Sequence, residues 1–178
     1  MTEKMLVAGI GNIFLGDDGF GVEVARRLAE ADLPSWVQVA DYGISGMHLA
    51  YDLADGYETA ILVDTAQRGE APGTLTVIEA GRPAEPAGAF AQTRMFDAHG
   101  MQPDVVLGVL DMLGASSARV LVVGCEPATV DEGMGLSPPV AAAVDEAVRV
   151  VLDLVRTAGA ATGTETVAGT AADNRRRG

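Results

Sequence analysis

Glu58-Thr-Ala-Ile-Leu-Val-Asp64 is the stretch on which the fold turns. Its apolar centre does not alternate with polar residues, so a strand formed there must be covered on both faces. A similar run, Met5-Leu-Val-Ala-Gly-Ile10, precedes it and ends in Gly11-Asn12. Another, Ala118-Arg-Val-Leu-Val-Val-Gly124, comes much later. Between these runs the period changes. Residues 19–31 set Val22, Val24, Ala25, Leu28 and Ala29 at roughly helical spacing with Arg26, Arg27 and Glu30 between them, which predicts an amphipathic helix. Residues 36–41 alternate and predict a second strand, and 47–55 suit a short helix. Residues 101–113 suit another helix with Pro103 near its first turn, and 138–157 a long apolar-striped one. Strands alternating with helices imply a three-layer α/β/α sandwich.

About eight residues separate Asp64 from the next strand, 74–79. A parallel crossover needs roughly a dozen, so this fourth strand is expected to run against the third. Residues 80–98, rich in Pro, Gly and Ala, read as a long functional or mobile loop. Residues 159–178 end in Arg175-Arg-Arg-Gly178 and read as a disordered tail behind one domain, 1–158.

The 178 residues carry a net charge of −13, which disfavours nucleic acid and anionic membranes as partners. A single cysteine, Cys125, allows no intrachain disulfide and suits a reducing cytoplasm. The first residues, with Glu3 and no long apolar core, read as the approach to a strand and not as a signal peptide.

Open α/β sheets gather ligands outside the carboxyl ends of strands, at a topological switch point. Asp18 follows the first strand, Asp41 ends the second and Asp64 ends the third. With strand order 2-1-3 all three face one crevice. Of the doublet Asp17-Asp18, one is expected to cap the helix and the other to enter the crevice. Asp64, directly after Ala-Ile-Leu-Val, is a carboxylate at the mouth of a dry sheet and needs a partner. His99 precedes a helix at the end of the long loop, and neutral imidazole is a common metal ligand. His48 reads as structural and Cys125 as a small buried hydrophobe. The glycines of 43–46 either build a turn or let a substrate backbone approach. Asp18, Asp64 and His99 thus form an acid/base cluster or an open site suited to zinc, nickel or iron. A dinucleotide reading of Gly9-Ile-Gly-Asn-Ile-Phe14 fails at Phe14, where the third glycine belongs, and Asp17 and Asp18 would repel a pyrophosphate.

Gly9-Ile-Gly-Asn-Ile-Phe-Leu-Gly-Asp-Asp-Gly-Phe-Gly21 resembles the N-terminal signature of the nickel–iron hydrogenase maturation endopeptidases. Asp41-Tyr-Gly-Ile-Ser-Gly-Met47 resembles their second motif, with Tyr42 where glycine is usual. Val63-Asp64-Thr-Ala66, Asp97-Ala-His99, Val123-Gly-Cys-Glu-Pro127 and Gly135-Leu-Ser-Pro138 are similar to later blocks, in order. The resemblance implies a five-stranded, mostly parallel sheet with one antiparallel strand, of the phosphorylase/hydrolase-like kind. It implies removal of a C-terminal peptide from the hydrogenase large-subunit precursor after nickel insertion. It places metal ligation on Asp18, Asp64 and His99, with Asp18 standing where the family often has Glu. Asp41 falls on a motif linked to proteolysis or substrate recognition, so Asp41 and Asp18 are the catalytic candidates and Gly43, Ser45 and Gly46 the substrate-binding ones. Nickel would be presented by the substrate, with zinc or cadmium able to occupy the site in vitro. The expected partner is the precursor alone, met by a monomer. Two rival readings are a non-proteolytic accessory protein that binds nickel or precursor, and a nucleotide-binding α/β enzyme.

Overall fold

The computed structural model describes residues 4–80 and 119–165. Of the expectations above, His99, the helix over 101–113, the 81–98 part of the long loop and the last residues, 166–178, lie outside them.

The elements run β1 (Met5–Ile10), a 3-10 turn (Gly16–Gly19), α1 (Phe20–Ala29), β2 (Val37–Gly43) and α2 (Gly46–Ala54). They continue with β3 (Thr59–Thr65), β4 (Leu75–Ala80), β5 (Arg119–Cys125) and α3 (Pro138–Glu165). The sheet order is β2-β1-β3-β5-β4. β4 pairs antiparallel with β5, and the other three pairs are parallel. The fourth strand is thus reversed as its short connection requires, but it lies at the edge beyond β5 and not beside β3.

Successive strand residues point to opposite faces, and each face has its own core. Met5, Val7, Ile61, Val63 and Val123 pack with Phe20, Val24 and Leu28 of α1 and with Val140, Val144 and Val151 of α3. On the other face Leu6, Ala8, Leu62, Val120 and Val122 pack with Leu49 and Leu53 of α2. The first crossover, through α1, leads outward to β2. The second, through α2, returns past β1 to β3. The direction of winding therefore reverses between β1 and β3, which places the switch point there.

Gly9, which tempts a nucleotide reading, and Gly21 serve helix–sheet contact. A Cβ on Gly21 would lie 2.0 Å from the Val63 carbonyl oxygen and 2.3 Å from that of Ile10. One on Gly9 would lie 2.4 Å from the Gly21 oxygen. Only glycine lets the first turn of α1 rest on the backbones of β1 and β3.

Two elements run longer than their sequences suggest. β2 continues through Tyr42 to Gly43, because a bulge absorbs one residue: Gly9 pairs with Asp41 but Ile10 pairs with Gly43. α3 continues to Glu165, so residues 159–165, read as the start of a tail, are helical. No helix among the described residues is long and apolar enough to cross a membrane.

Candidate active site

The loop after β1 folds back on itself because Gly11 adopts a backbone φ of +138°. A Cβ there would meet the Asp18 carbonyl oxygen at 1.8 Å, so only glycine lets the chain return so closely. The Asn12 amide donates to Asp18 Oδ2 at 2.8 Å, and the Asp18 amide donates to the Leu15 carbonyl at 3.1 Å. Asp18 is thereby fixed over the end of β1.

Asp64 reaches the same place from β3. Thr65 Oγ1 lies 3.2 Å from Asp18 Oδ1 and 3.5 Å from Asp64 Oδ1. One hydroxyl with one proton is therefore shared between two carboxylates. The Thr65 amide also donates to Asp64 Oδ1, at 2.7 Å. Asp64 is only 9% exposed. Burial pushes its carboxyl well above the usual carboxylate range, and the Asp18 charge adds to that; the Thr65 amide and hydroxyl pull the other way and are outweighed.

Asp17 does something else. It is fully buried, and it makes no cap for α1, whose N-terminus has no side-chain cap hydrogen bond. Its side chain crosses to the segment between β5 and α3. Oδ2 accepts from the Ala128 and Thr129 amides and the Ser137 hydroxyl, and Oδ1 from the Ser137 amide at 2.6 Å. Burial alone would raise this carboxyl, but the donors from Ser137, Thr129 and Ala128 together hold it below the usual range. The doublet's expected capping residue is instead a joint between two loops.

Glu126 makes a second joint that the sequence reading did not single out. Its carboxylate is buried and accepts from the Arg68 amide at 2.7 Å and the Gly69 amide at 3.3 Å, securing the loop after β3. The signal was present, since Glu126 follows a buried strand just as the strand-ending Asp64 does.

Asp41 does not join the pair. It shares a register row with Gly9 and Val63, whereas Asp64 is one residue further on, so the pleat turns the two side chains to opposite faces. Asp41 is exposed, and its Oδ1 accepts from the Gly43 amide at 2.8 Å. The expectation that Asp18, Asp41 and Asp64 converge is therefore corrected to the pair Asp18 and Asp64. Two more amides of the 43–46 turn are engaged internally: Ser45 donates to the Tyr42 carbonyl at 2.8 Å and Gly46 to that of Ile44 at 3.1 Å. A Cβ on Gly43, at φ +53°, would make ordinary contacts, 3.8 Å from the Gly11 carbonyl oxygen and 3.9 Å from Asp41 Oδ1. Tyr42, standing where the related motif has glycine, is buried against α2 and donates its hydroxyl to Asp52 Oδ2 at 2.6 Å.

His48 is exposed on α2. Cys125 is fully buried, and burial, with the charges of Asp17 and Glu126, pushes its thiol up to about 11. A thiol kept protonated is a poor nucleophile and a poor metal ligand, in keeping with its reading as a small hydrophobe.

Residues 22–154 match the hydrogenase maturation protease family. A putative hydrogenase maturation protease of Methanocaldococcus jannaschii is 33% identical over 86% of this chain and 97% of its own length. The hydrogenase 2 maturation protease of Escherichia coli is 31% identical over 88% of this chain and 93% of its own. Among solved structures, the hydrogenase maturating endopeptidase HybD from Escherichia coli superposes with a TM-score of 0.69 at 28% identity, covering 88% of this chain and 94% of that one. A hydrogenase 2 maturation peptidase from a Thaumarchaeota archaeon gives 0.64 at 30% identity, over 86% and 98%. With a match across most of its length and a sheet whose switch point carries a pair of acids, the chain belongs to the hydrogenase maturation protease family, a family of processing endopeptidases.

Proposed function

We propose that this protein removes the C-terminal extension of a nickel-loaded hydrogenase large-subunit precursor, and that it recognises the nickel as part of its substrate. The observation that carries this reading is the Thr65 hydroxyl shared by Asp18 and the buried Asp64. Two acids on one hydroxyl, one of them desolvated, are costly to ionise together. A cation delivered by the substrate offsets that cost, so the pair responds to loaded precursor and not to empty precursor. Carboxylate oxygens and imidazole suit nickel, zinc and cadmium alike, and His99 completes the donor set on the strength of the motif it matches. A carboxylate of the same crevice then takes the proton from the water that attacks the scissile carbonyl. Asp18 is placed for this by the Asn12 amide and the Thr65 hydroxyl. Asp41, tied to the Gly43 amide, orients the turn of Gly43, Ser45 and Gly46 along which the substrate strand docks. The protein acts as a cytoplasmic monomer on this one partner, without nucleic acid or membrane.

The test is to incubate the protein with nickel-loaded and nickel-free precursor and follow the precursor's mass. Loss of the extension from the loaded form alone is expected. Equal cleavage of both forms overturns the metal-recognition step. Binding with no change of mass replaces the protease with an accessory protein.

A further inference from the structure

Among the described residues, most of the large apolar side chains that stand exposed gather at the carboxyl end of the sheet. Ile13 and Phe14 lie in the loop after β1, Ile44 and Met47 after β2, and Met134 after β5. Phe14 is 61% exposed, Ile44 73% and Met134 75%. Scattered exposed apolar residues need no explanation, but a gathered set marks an interaction surface.

These side chains sit on fastened loops. The Gly133 amide donates to the Phe14 carbonyl and the Gly16 amide to the Gly133 carbonyl, each at 2.8 Å, so Phe14 and Met134 form one lip. Asp17 secures that lip from beneath through Ala128, Thr129 and Ser137. Ile44 and Met47 form a second lip, held by the Gly43 amide on Asp41 and the Tyr42 hydroxyl on Asp52. The Gly11 amide, donating to the Gly43 carbonyl at 2.9 Å, links the two, and the next residue, Asn12, holds Asp18. The lips thus flank the acid pair, and little ordering entropy is lost when they are covered.

Their charge is of one sign. Asp131 and Glu132 are exposed beside Met134, and Asp41 is exposed before Ile44. Residues 11–19, 41–48 and 126–137 contain no Lys or Arg. We infer that the two lips form a single docking surface for the protein substrate, seating a segment that carries apolar side chains together with Lys or Arg. The inference rests on the proposed function and adds the chemistry of what that substrate presents. Apolar anchors cover the lips, and cations meet Asp131, Glu132 and Asp41.

The experiment measures Kd, KM and kcat with nickel-loaded hydrogenase large-subunit precursor for the wild type and three double variants: F14S/M134S, I44S/M47S and D131K/E132K. The substituted side chains are exposed, so unchanged thermal unfolding serves as the check on folding. Each variant is expected to raise Kd and KM about tenfold or more while kcat stays within about twofold. The lysine pair should also weaken the salt dependence of binding. Unchanged Kd and KM in either lip variant, with the wild type cleaving normally, overturns the docking surface and leaves the protease reading intact. A wild type that binds precursor without cleaving it overturns the protease reading while the Kd series still decides the surface. A wild type that neither binds nor cleaves overturns both. A wild-type dimer that the lip variants dissociate, with precursor binding unaffected, assigns the lips to a second copy and overturns the proposal.

Discussion

Asp17 and Asp64 are carboxylates of the same kind, buried at the same end of one sheet, and their surroundings differ completely. Asp17 receives four hydrogen bonds, three of them from amides, across the joint between the β1 and β5 loops. Asp64 has the amide of its own neighbour and a hydroxyl shared with Asp18. Ionisation is favoured at the first and penalised at the second. A buried acid saturated with fixed donors is a fastening. A buried acid with few donors among the described residues, beside another acid, has the perturbed environment that functional sites often show.

The largest effect expected from breaking this contrast is on folding. Asp17→Ala strands the Ala128, Thr129 and Ser137 amides and should cost about 3–5 kcal/mol in chemical denaturation. A loss below about 1 kcal/mol would mean that water replaces the carboxylate there. Asp64→Asn should do the reverse, leaving the protein at least as stable while precursor cleavage falls at least a hundredfold or so, since changes even to groups behind metal ligands cost roughly ten- to hundredfold. Comparing its unfolding midpoint with its cleavage rate separates the two roles.

A smaller change comes from Thr65→Val, which removes the shared hydroxyl but keeps the β-branched shape. Cleavage should fall about tenfold with little change in stability. An unaltered rate would show that the two acids need no common donor. The smallest effect is on pH dependence, and its sign differs between the two acids. Asp17 is held below its unfolded value, so its stabilisation is present above the unfolded carboxylate range and is lost as pH falls through the folded value. Asp64 is held above, so the stability of its neutral form is present at low pH and is lost as pH rises through the folded value. Asp17→Asn should therefore flatten the acid limb of the stability curve, and Asp64→Asn should gain on the wild type toward neutral pH. Parallel curves for the two variants would contradict the contrast.

Much of this could be read from local pattern. The β1, β3 and β5 runs are continuously apolar because both sheet faces are covered, so their ends were placed within a residue or so. The reversal of β4 followed from a connection too short to cross over. Asp18 and Asp64 stood out because an acid beside a dry strand end needs a partner, and each is the other's neighbour across Thr65. The role of Asp17 was not legible, because the rule for acids at a helix start looks a few residues along the chain, while its partners lie more than a hundred residues away. Asp41 was grouped with the pair because all three follow strands. One residue of register set it on the other face.

The amino-acid sequence by itself determined where the strands and helices form and which acids reach the carboxyl edge of the sheet, because periodicity and turn chemistry act over a few residues. Only the tertiary structure decided which of those acids fasten loops and which share a hydroxyl. That depends on strand register and on donors brought together from distant parts of the chain.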